Sequence, residues 1–433
     1  MPPSPTSSFN PRLSAFALLT ALATLGLLAA GGLVTSHGAG MAVPDWPNTY
    51  GYNMFFFPFS KWVGGVFYEH THRLLASLVG LLTAILALWL YGTKAQPWMR
   101  NLGLVLVVAA LSALIAWPRR WSDALVPGLA GAVLFASSFA WPRCEPSPRW
   151  LRRLGLAAFL AVVLQGLLGG LRVVLFRDEI GIFHATLAQL FFVLVCALAL
   201  FTSRWWQRAL PLTPVLSPRE RGQQGPALED ACDAGFVDRQ TTVLPLPEGE
   251  GRGEGKRDAR NAADVQAQMR EHARPLPFLV AATTLLILAQ LIVGACMRHQ
   301  HAGLAIPDFP LAYGKLWPFM DAASVSRYNQ HRLETVSLNP ITSFQIVLQM
   351  AHRIVAALVL AAVAGCAWQT LRRFGTRSAL GKLALVWLGL ILTQALLGAM
   401  TIWSNKAADI ATAHVLGGAL SLALGTLQCL LYL

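Results

Sequence analysis

Ten stretches of this chain stay mostly apolar for 17 to 28 residues each, and that constrains its fold more than any other feature. They lie near 14–36, 69–92, 101–117, 121–141, 152–175, 182–202, 277–297, 343–370, 380–402 and 409–431. About 20 apolar residues in helical form cross a hydrocarbon core of about 30 Å. Lipid leaves a backbone no partner but itself, so such segments are helices. Only 13% of the 433 residues are charged, against about 25% in soluble domains. The expected fold is an all-α polytopic membrane protein.

The net charge of +13 does not imply nucleic acid. Basic residues gather at one set of helix ends: Arg149, Arg152 and Arg153; Arg204 and Arg208; Arg372, Arg373, Arg377 and Lys382. The positive-inside rule places those ends, and with them the N-terminus, in the cytoplasm. Arg119 and Arg120 fall on the opposite side, between two short spans, so 101–141 reads as a spanning or re-entrant hairpin. The first span has no convincing cleavage site and reads as uncleaved. Six cysteines show no metal-type spacing, and no disulfide framework is expected.

Residues 203–276 differ from the rest. They are rich in Pro, Gly, Arg and Glu, with 11 basic and 11 acidic side chains. That composition cannot bury enough apolar surface to fold, and it reads as a disordered cytoplasmic linker. The chain then divides into a bundle at 1–202, the linker at 203–276 and a bundle at 277–433.

The two bundles are internally similar. SHGAGMAVPDWPNTYG (36–51) matches RHQHAGLAIPDFPLAYG (298–314), and HRLLASLVG (72–80) matches HRIVAALVL (352–360). LQGLLGGLRV (164–173) matches TQALLGAMTI (393–402), and FHATLAQL (183–190) matches AHVLGGAL (413–420). His72 and His184 are 112 residues apart, whereas His352 and His414 are 62 apart. The excess of 50 is close to the 101–141 hairpin with its flanks. Without that hairpin each half has four helices, so the halves form two pseudo-symmetric four-helix bundles in parallel orientation.

Two histidines per half survive the repeat: His72 and His184, then His352 and His414. Each is expected to open its helix at the outer end, at one depth. Ionisable groups inside a membrane are expensive and point to function. Two facing imidazoles in a four-helix core suit the axial positions of a haem iron. Zinc and copper sites usually add carboxylate or thiolate ligands, and none accompanies His352. His70 points elsewhere on its helix, His37, His299, His301 and His331 fall in outer loops, and His272 falls in the linker.

One asymmetry stands out. Glu69 precedes His72 by three residues, whereas Gln349 precedes His352 by three, and residues so spaced share a helix face. Glu69 is the candidate catalytic acid, with pairing to Arg73 as the other reading. Asp45 and Asp308, in PDWP and PDFP, read as turn formers. Arg73, Arg353 and Arg172 read as partners of haem propionates or of lipid headgroups.

ExxHR near a helix start, LQGLLGGLRV, a later helix-opening His and a second copy of the set together resemble the haem A synthase family. The resemblance covers both repeats but neither the hairpin nor the linker. It implies eight helices in two bundles and oxidation of the C8 methyl of haem O to a formyl group. It also implies that His72 and His184 ligate the substrate haem, that Glu69 is catalytic, and that His352 and His414 hold a haem b. The product would serve cytochrome oxidase assembly, and contact with a haem O synthase would follow. The setting would be the inner membrane of a bacterium, and a homo-oligomer remains open. Many family members carry an outer-loop cysteine pair, which SHGAGMAVPDWP lacks, so the resemblance does not extend to electron passage through such a pair. The alternatives are a non-catalytic dihaem b-type cytochrome and, less well matched, a transporter.

Overall fold

A computed structural model describes residues 9–117, 121–209, 275–331 and 340–432. The long helices are α1 (Pro11–Ser36), α2 (Gly64–Tyr91), α3 (Gln96–Ala116), α4 (Trp121–Ala140), α5 (Arg149–Val174) and α6 (Asp178–Phe201). The short α7 (Arg204–Ala209) follows. Then come α8 (Pro275–His299), the short α9 (Ala322–Gln330), α10 (Ser343–Phe374), α11 (Ala379–Trp403) and α12 (Ala408–Tyr432). Each of the ten expected spans corresponds to a long helix. Among the described residues, nine unbroken helical stretches are long and apolar enough to cross a membrane. One of these, Gly64–Ala116, joins α2 to α3 through a short turn at Gly92.

Local chemistry sets the ends. The Asn10 side chain accepts from the Arg12 and Leu13 amides at 3.1 Å, with Pro11 in the first turn of α1. Thr342 and Gln345 form a capping box on α10. Gly92 has φ +56°, and a Cβ there would lie 2.5 Å from the Cys144 carbonyl, so only glycine fits the turn between α2 and α3.

In the first half α1 packs on α2, α2 on α5, α5 on α6, and α6 back on α1. In the second half α8 packs on α10, α10 on α11, α11 on α12, and α12 on α8. Each half is thus a closed ring of four helices, with α2 diagonal to α6 and α10 diagonal to α12. Leu86, Leu90, Ala158, Val195 and Leu198 fill the first core. Val280, Val363, Ile391 and the fully buried Trp387, which donates from Nε1 to the Ser421 carbonyl at 3.0 Å, fill the second.

The outer faces are apolar. Leu18, Leu22, Leu81, Leu160, Leu285, Leu358 and Leu396 are all exposed. Surface of that kind is stable against lipid and aggregation-prone in water. The molecule is a polytopic membrane protein.

α1 and α6 meet α12, and α6 also meets α8. The halves are joined further by Arg298 at the end of α8. Its Nη2 donates to the Gly32 carbonyl at 2.6 Å and to Ser36 Oγ at 2.7 Å, both on α1.

The hairpin α3–α4 packs chiefly against itself. Its helices have 21 and 20 residues, about 30 Å each, enough to span fully. Its two ends come together: Ser147 N donates to the Leu90 carbonyl at 2.9 Å and Thr93 N to Cys144 O at 3.2 Å. Arg119 and Arg120 lie outside the described residues.

The expected linker is shorter than 203–276. Residues 204–209 continue as α7, and α8 begins at Pro275. Trp206 packs edge-on against Phe201, and the Arg204 guanidinium lies over Phe9. Apolar and cation–π contacts thus extend order past the span. Residues 210–274 of the expected linker lie outside the described residues. The short α9, capped by Asp321 on Ser324 N at 2.9 Å, was not foreseen.

Candidate functional site

The diagonal helices carry the four histidines: His72 on α2, His184 on α6, His352 on α10 and His414 on α12. They do not open their helices. His72 and His352 lie eight and nine residues past the first helical residue, about 12–14 Å in, and His184 and His414 lie six residues in. α2 starts five residues ahead of its expected span because GGVFY continues the helix, whereas α10 starts at Ser343, the first residue of its expected span, and His352 was inside it from the outset.

His352 and His414 face each other across the second bundle. Their ring centroids are 6.4 Å apart and their planes are inclined at 69°. A metal bound at about 2 Å by each imidazole separates the ring centres by about 6 Å, which is this spacing. His72 and His184 lie within electrostatic reach of each other across the first bundle.

A glycine on the adjacent helix backs each ring. A Cβ at Gly169 would lie 3.3 Å from His184 Cε1. The same distance applies at Gly294 to His352 and at Gly398 to His414, and at Gly31 a Cβ would lie 3.0 Å from His72. A glycine inside a helix costs about 1 kcal/mol relative to alanine, so four in register with four imidazoles have a steric purpose. Each histidine turns its buried Nδ1 and Cε1 edge toward that glycine's helix. Among the described residues, no three His, Cys, Asp or Glu side chains converge. Each pair therefore offers two imidazoles and, among the described residues, no third protein ligand. That donor set fits a haem, whose porphyrin supplies the remaining four, better than zinc or copper.

Glu69 is buried and paired. Its Oε1 accepts from Arg73 Nη2 at 2.7 Å, and its Oε2 accepts from Val43 N at 2.8 Å. Of the two readings of Glu69, the structure shows the ion pair. Gln349 does the equivalent work alone: Oε1 accepts from Ile306 N at 2.6 Å, and Nε2 donates to the Ile306 and Gly303 carbonyls at 3.3 and 3.2 Å. In the first half the donor to the Val43 carbonyl is Arg73, at 2.9 Å. An acid with its arginine thus stands where one amide stands in the other half.

Arg73 and Arg353 meet the backbone of the preceding loop. Arg73 also donates to the Asp45 and Asn48 carbonyls at 2.7 and 2.9 Å. Arg353 donates to the Asp308 and Leu311 carbonyls at 2.7 and 2.9 Å. Both tie the preceding loop to the helix through its backbone carbonyls. The Arg172 guanidinium packs against Gly40 of that loop.

The aspartates are turn formers. Asp45 accepts from Tyr50 N at 2.7 Å and Gly51 N at 2.8 Å, and Asp308 accepts from Tyr313 N and Gly314 N at the same distances. Tyr50 and Tyr313 both have positive φ, and each donates from its hydroxyl to a loop carbonyl, Ala42 or Ala305. Trp46 of PDWP lies against Gly170 of α5, beside the His184 site.

His70 is fully buried, with Nδ1 3.2 Å from Thr49 Oγ1 and its ring between Phe57 and Trp62. His37 stacks on Tyr68, and its Nδ1 lies 2.9 Å from the Leu33 carbonyl. His272 lies outside the described residues. The five described cysteines are free.

Sequence reading found the four histidines but not the glycines behind them, although LLGG and LLGA were in the aligned segments. It also missed Gln165, Gln290 and Gln394, whose amides reach the main chain at three of the histidines.

No curated protein matches the chain. A family model, COX15-CtaA, described as cytochrome oxidase assembly protein, matches residues 256–426. The match includes His352, His414 and the four helices around them, and it excludes the first bundle. Over residues 256–426, about two fifths of its length, the chain is similar to the COX15-CtaA family of cytochrome oxidase assembly proteins.

Proposed function

We propose that the protein is a haem A synthase that oxidises the C8 methyl of haem O to a formyl group in a bacterial inner membrane, with its N-terminus cytoplasmic. The observation that carries this reading is the His352–His414 pair, spaced for one iron, within the stretch that matches an oxidase assembly family.

His352 and His414 would hold a haem b, and His72 and His184 would hold the substrate haem. Bound haem would supply the redox chemistry at each site. The chain's own residues orient and enclose it. Gly31, Gly169, Gly294 and Gly398 let the imidazole edges approach the neighbouring helices closely. The Glu69–Arg73 pair seats the 37–63 loop over the first site, three residues from His72. Glu69 is the one carboxylate shown in that seat, so it is our candidate for moving a proton or stabilising positive charge during methyl oxidation.

The test is co-expression with a haem O synthase, followed by extraction and chromatography of the haems. Haem A in the extract is the expected result. Haem O that persists unchanged beside folded, haem-loaded protein would overturn the synthase and leave a dihaem cytochrome.

A further inference from the structure

Three of the four histidines are held by a second contact that the fourth lacks. Gln165 Nε2 donates to the main-chain carbonyl of His184 at 3.0 Å. Gln290 Nε2 donates to that of His352 at 3.0 Å, and Gln394 Nε2 to that of His414 at 2.7 Å. Each glutamine stands four residues before the glycine that backs the same imidazole: Gln165 and Gly169, Gln290 and Gly294, Gln394 and Gly398. One turn of helix thus offers a bare surface to the ring and an amide to the backbone. The Oε1 atoms of all three are buried and unpartnered, and turning the amide over would press that oxygen against a carbonyl. The donating orientation is therefore defined.

On α1 the glycine is present and the glutamine is not. Gly31 backs His72, and four residues before it stands Leu27, packed on the first core cluster with no hydrogen to donate. Among the described residues no side-chain amide reaches the main-chain carbonyl of His72, and Leu27 meets His72 through its own main chain only.

We infer that Gln165, Gln290 and Gln394 are positioning residues for three axial histidines, and that His72 is the axial ligand built to yield. This rests on the haem reading above and deepens it. A resident haem b is fixed on both sides, by His352 and His414. A substrate must enter and a product must leave, so the first site needs one firm ligand, His184, and one that lets go. Groups outside the ligand shell orient a metal-binding imidazole and tune its hold, and one buried hydrogen bond changes such an equilibrium about fivefold.

The experiment uses the full-length chain purified with its haem. Haem content and the low-spin bis-imidazole signal of the oxidised protein come first; their absence in the wild type overturns the haem reading itself. Carbon monoxide is then titrated into the reduced protein, because it binds only where an axial ligand gives way. Wild type should react at one haem. Leu27→Gln, which restores the missing donor, should weaken that reaction about fivefold. Gln290→Met keeps shape and removes the donor, so it should make the second haem reactive, and Gln394→Met serves if the first variant does not fold. Unchanged titrations in these variants at full haem content overturn the inference. A change in the glutamine variants alone overturns the assignment of His72 as the yielding ligand.

Discussion

Arg73 reaches back one turn of α2 to Glu69 and closes a 2.7 Å ion pair, where the second bundle uses Gln349 alone. Loop closure in this fold therefore needs no carboxylate. Glu69→Gln should still fold, load haem and lose no more than about 1–2 kcal/mol of stability, because Arg73 keeps three carbonyl partners. Conversion of haem O should fall by about 10² or more if the carboxylate takes part in proton transfer. Thermal melting, haem content and haem extraction on one preparation check this. Normal conversion would leave Glu69 a structural residue only.

Glu69→Ala should behave differently. It removes the acceptor of both the buried Val43 amide and Arg73 Nη2 and leaves a cavity that glutamine would fill, a loss of about 2–5 kcal/mol. We expect a sharp drop in membrane yield and melting temperature. A melting curve matching that of Glu69→Gln would contradict the clasp.

His352→Ala should remove one haem while the first bundle keeps its own, since the two pairs sit in separate helix rings. Haem quantitation and a reduced-minus-oxidised spectrum read this directly. Loss of both haems, or of neither, would count against two independent sites.

The glycines give a steric series. At Gly294 a Cβ would sit 3.3 Å from His352 Cε1, so alanine requires a shift of a few tenths of an ångström and returns about 1 kcal/mol of helix propensity. Gly294→Ala should stay folded with a shifted haem spectrum. Gly294→Val forces the ring aside, costs about 1–3 kcal/mol and should lose the second haem. A valine variant with an unaltered spectrum would show that the glycine does not shape the site.

Excising the α3–α4 hairpin should leave both bundles intact. The chain leaves α2 and enters α5 side by side, tied by Ser147 N to Leu90 O. A short Gly/Ser bridge from Ala95 to Ser147 spans that gap. Unchanged haem content and melting are expected, and misfolding would show that the hairpin supports the first bundle.

The hairpin was legible because the repeat exposes it: 50 extra residues between two histidines have no counterpart in the second half. Hydropathy located every long helix. The four histidines were legible because each recurs in matched surroundings. What escaped was the contact network. The loop contacts of Arg73 and Arg353 escaped because nothing in a linear sequence shows how many loop carbonyls a guanidinium will meet. Gln165 and Gln394 lay inside aligned segments, yet a glutamine in a helix is ordinary until its partner across the bundle is known. The turn at Trp205–Trp206 was masked by the composition of the residues after it.

Arg298 binds the Gly32 carbonyl and Ser36 across the junction of the halves, largely out of water. Charged hydrogen bonds of that kind are worth about 1.5–3 kcal/mol each, so any rocking of one bundle against the other has to break both together. The two histidine pairs are thereby held at one separation, whatever passes between the sites they line.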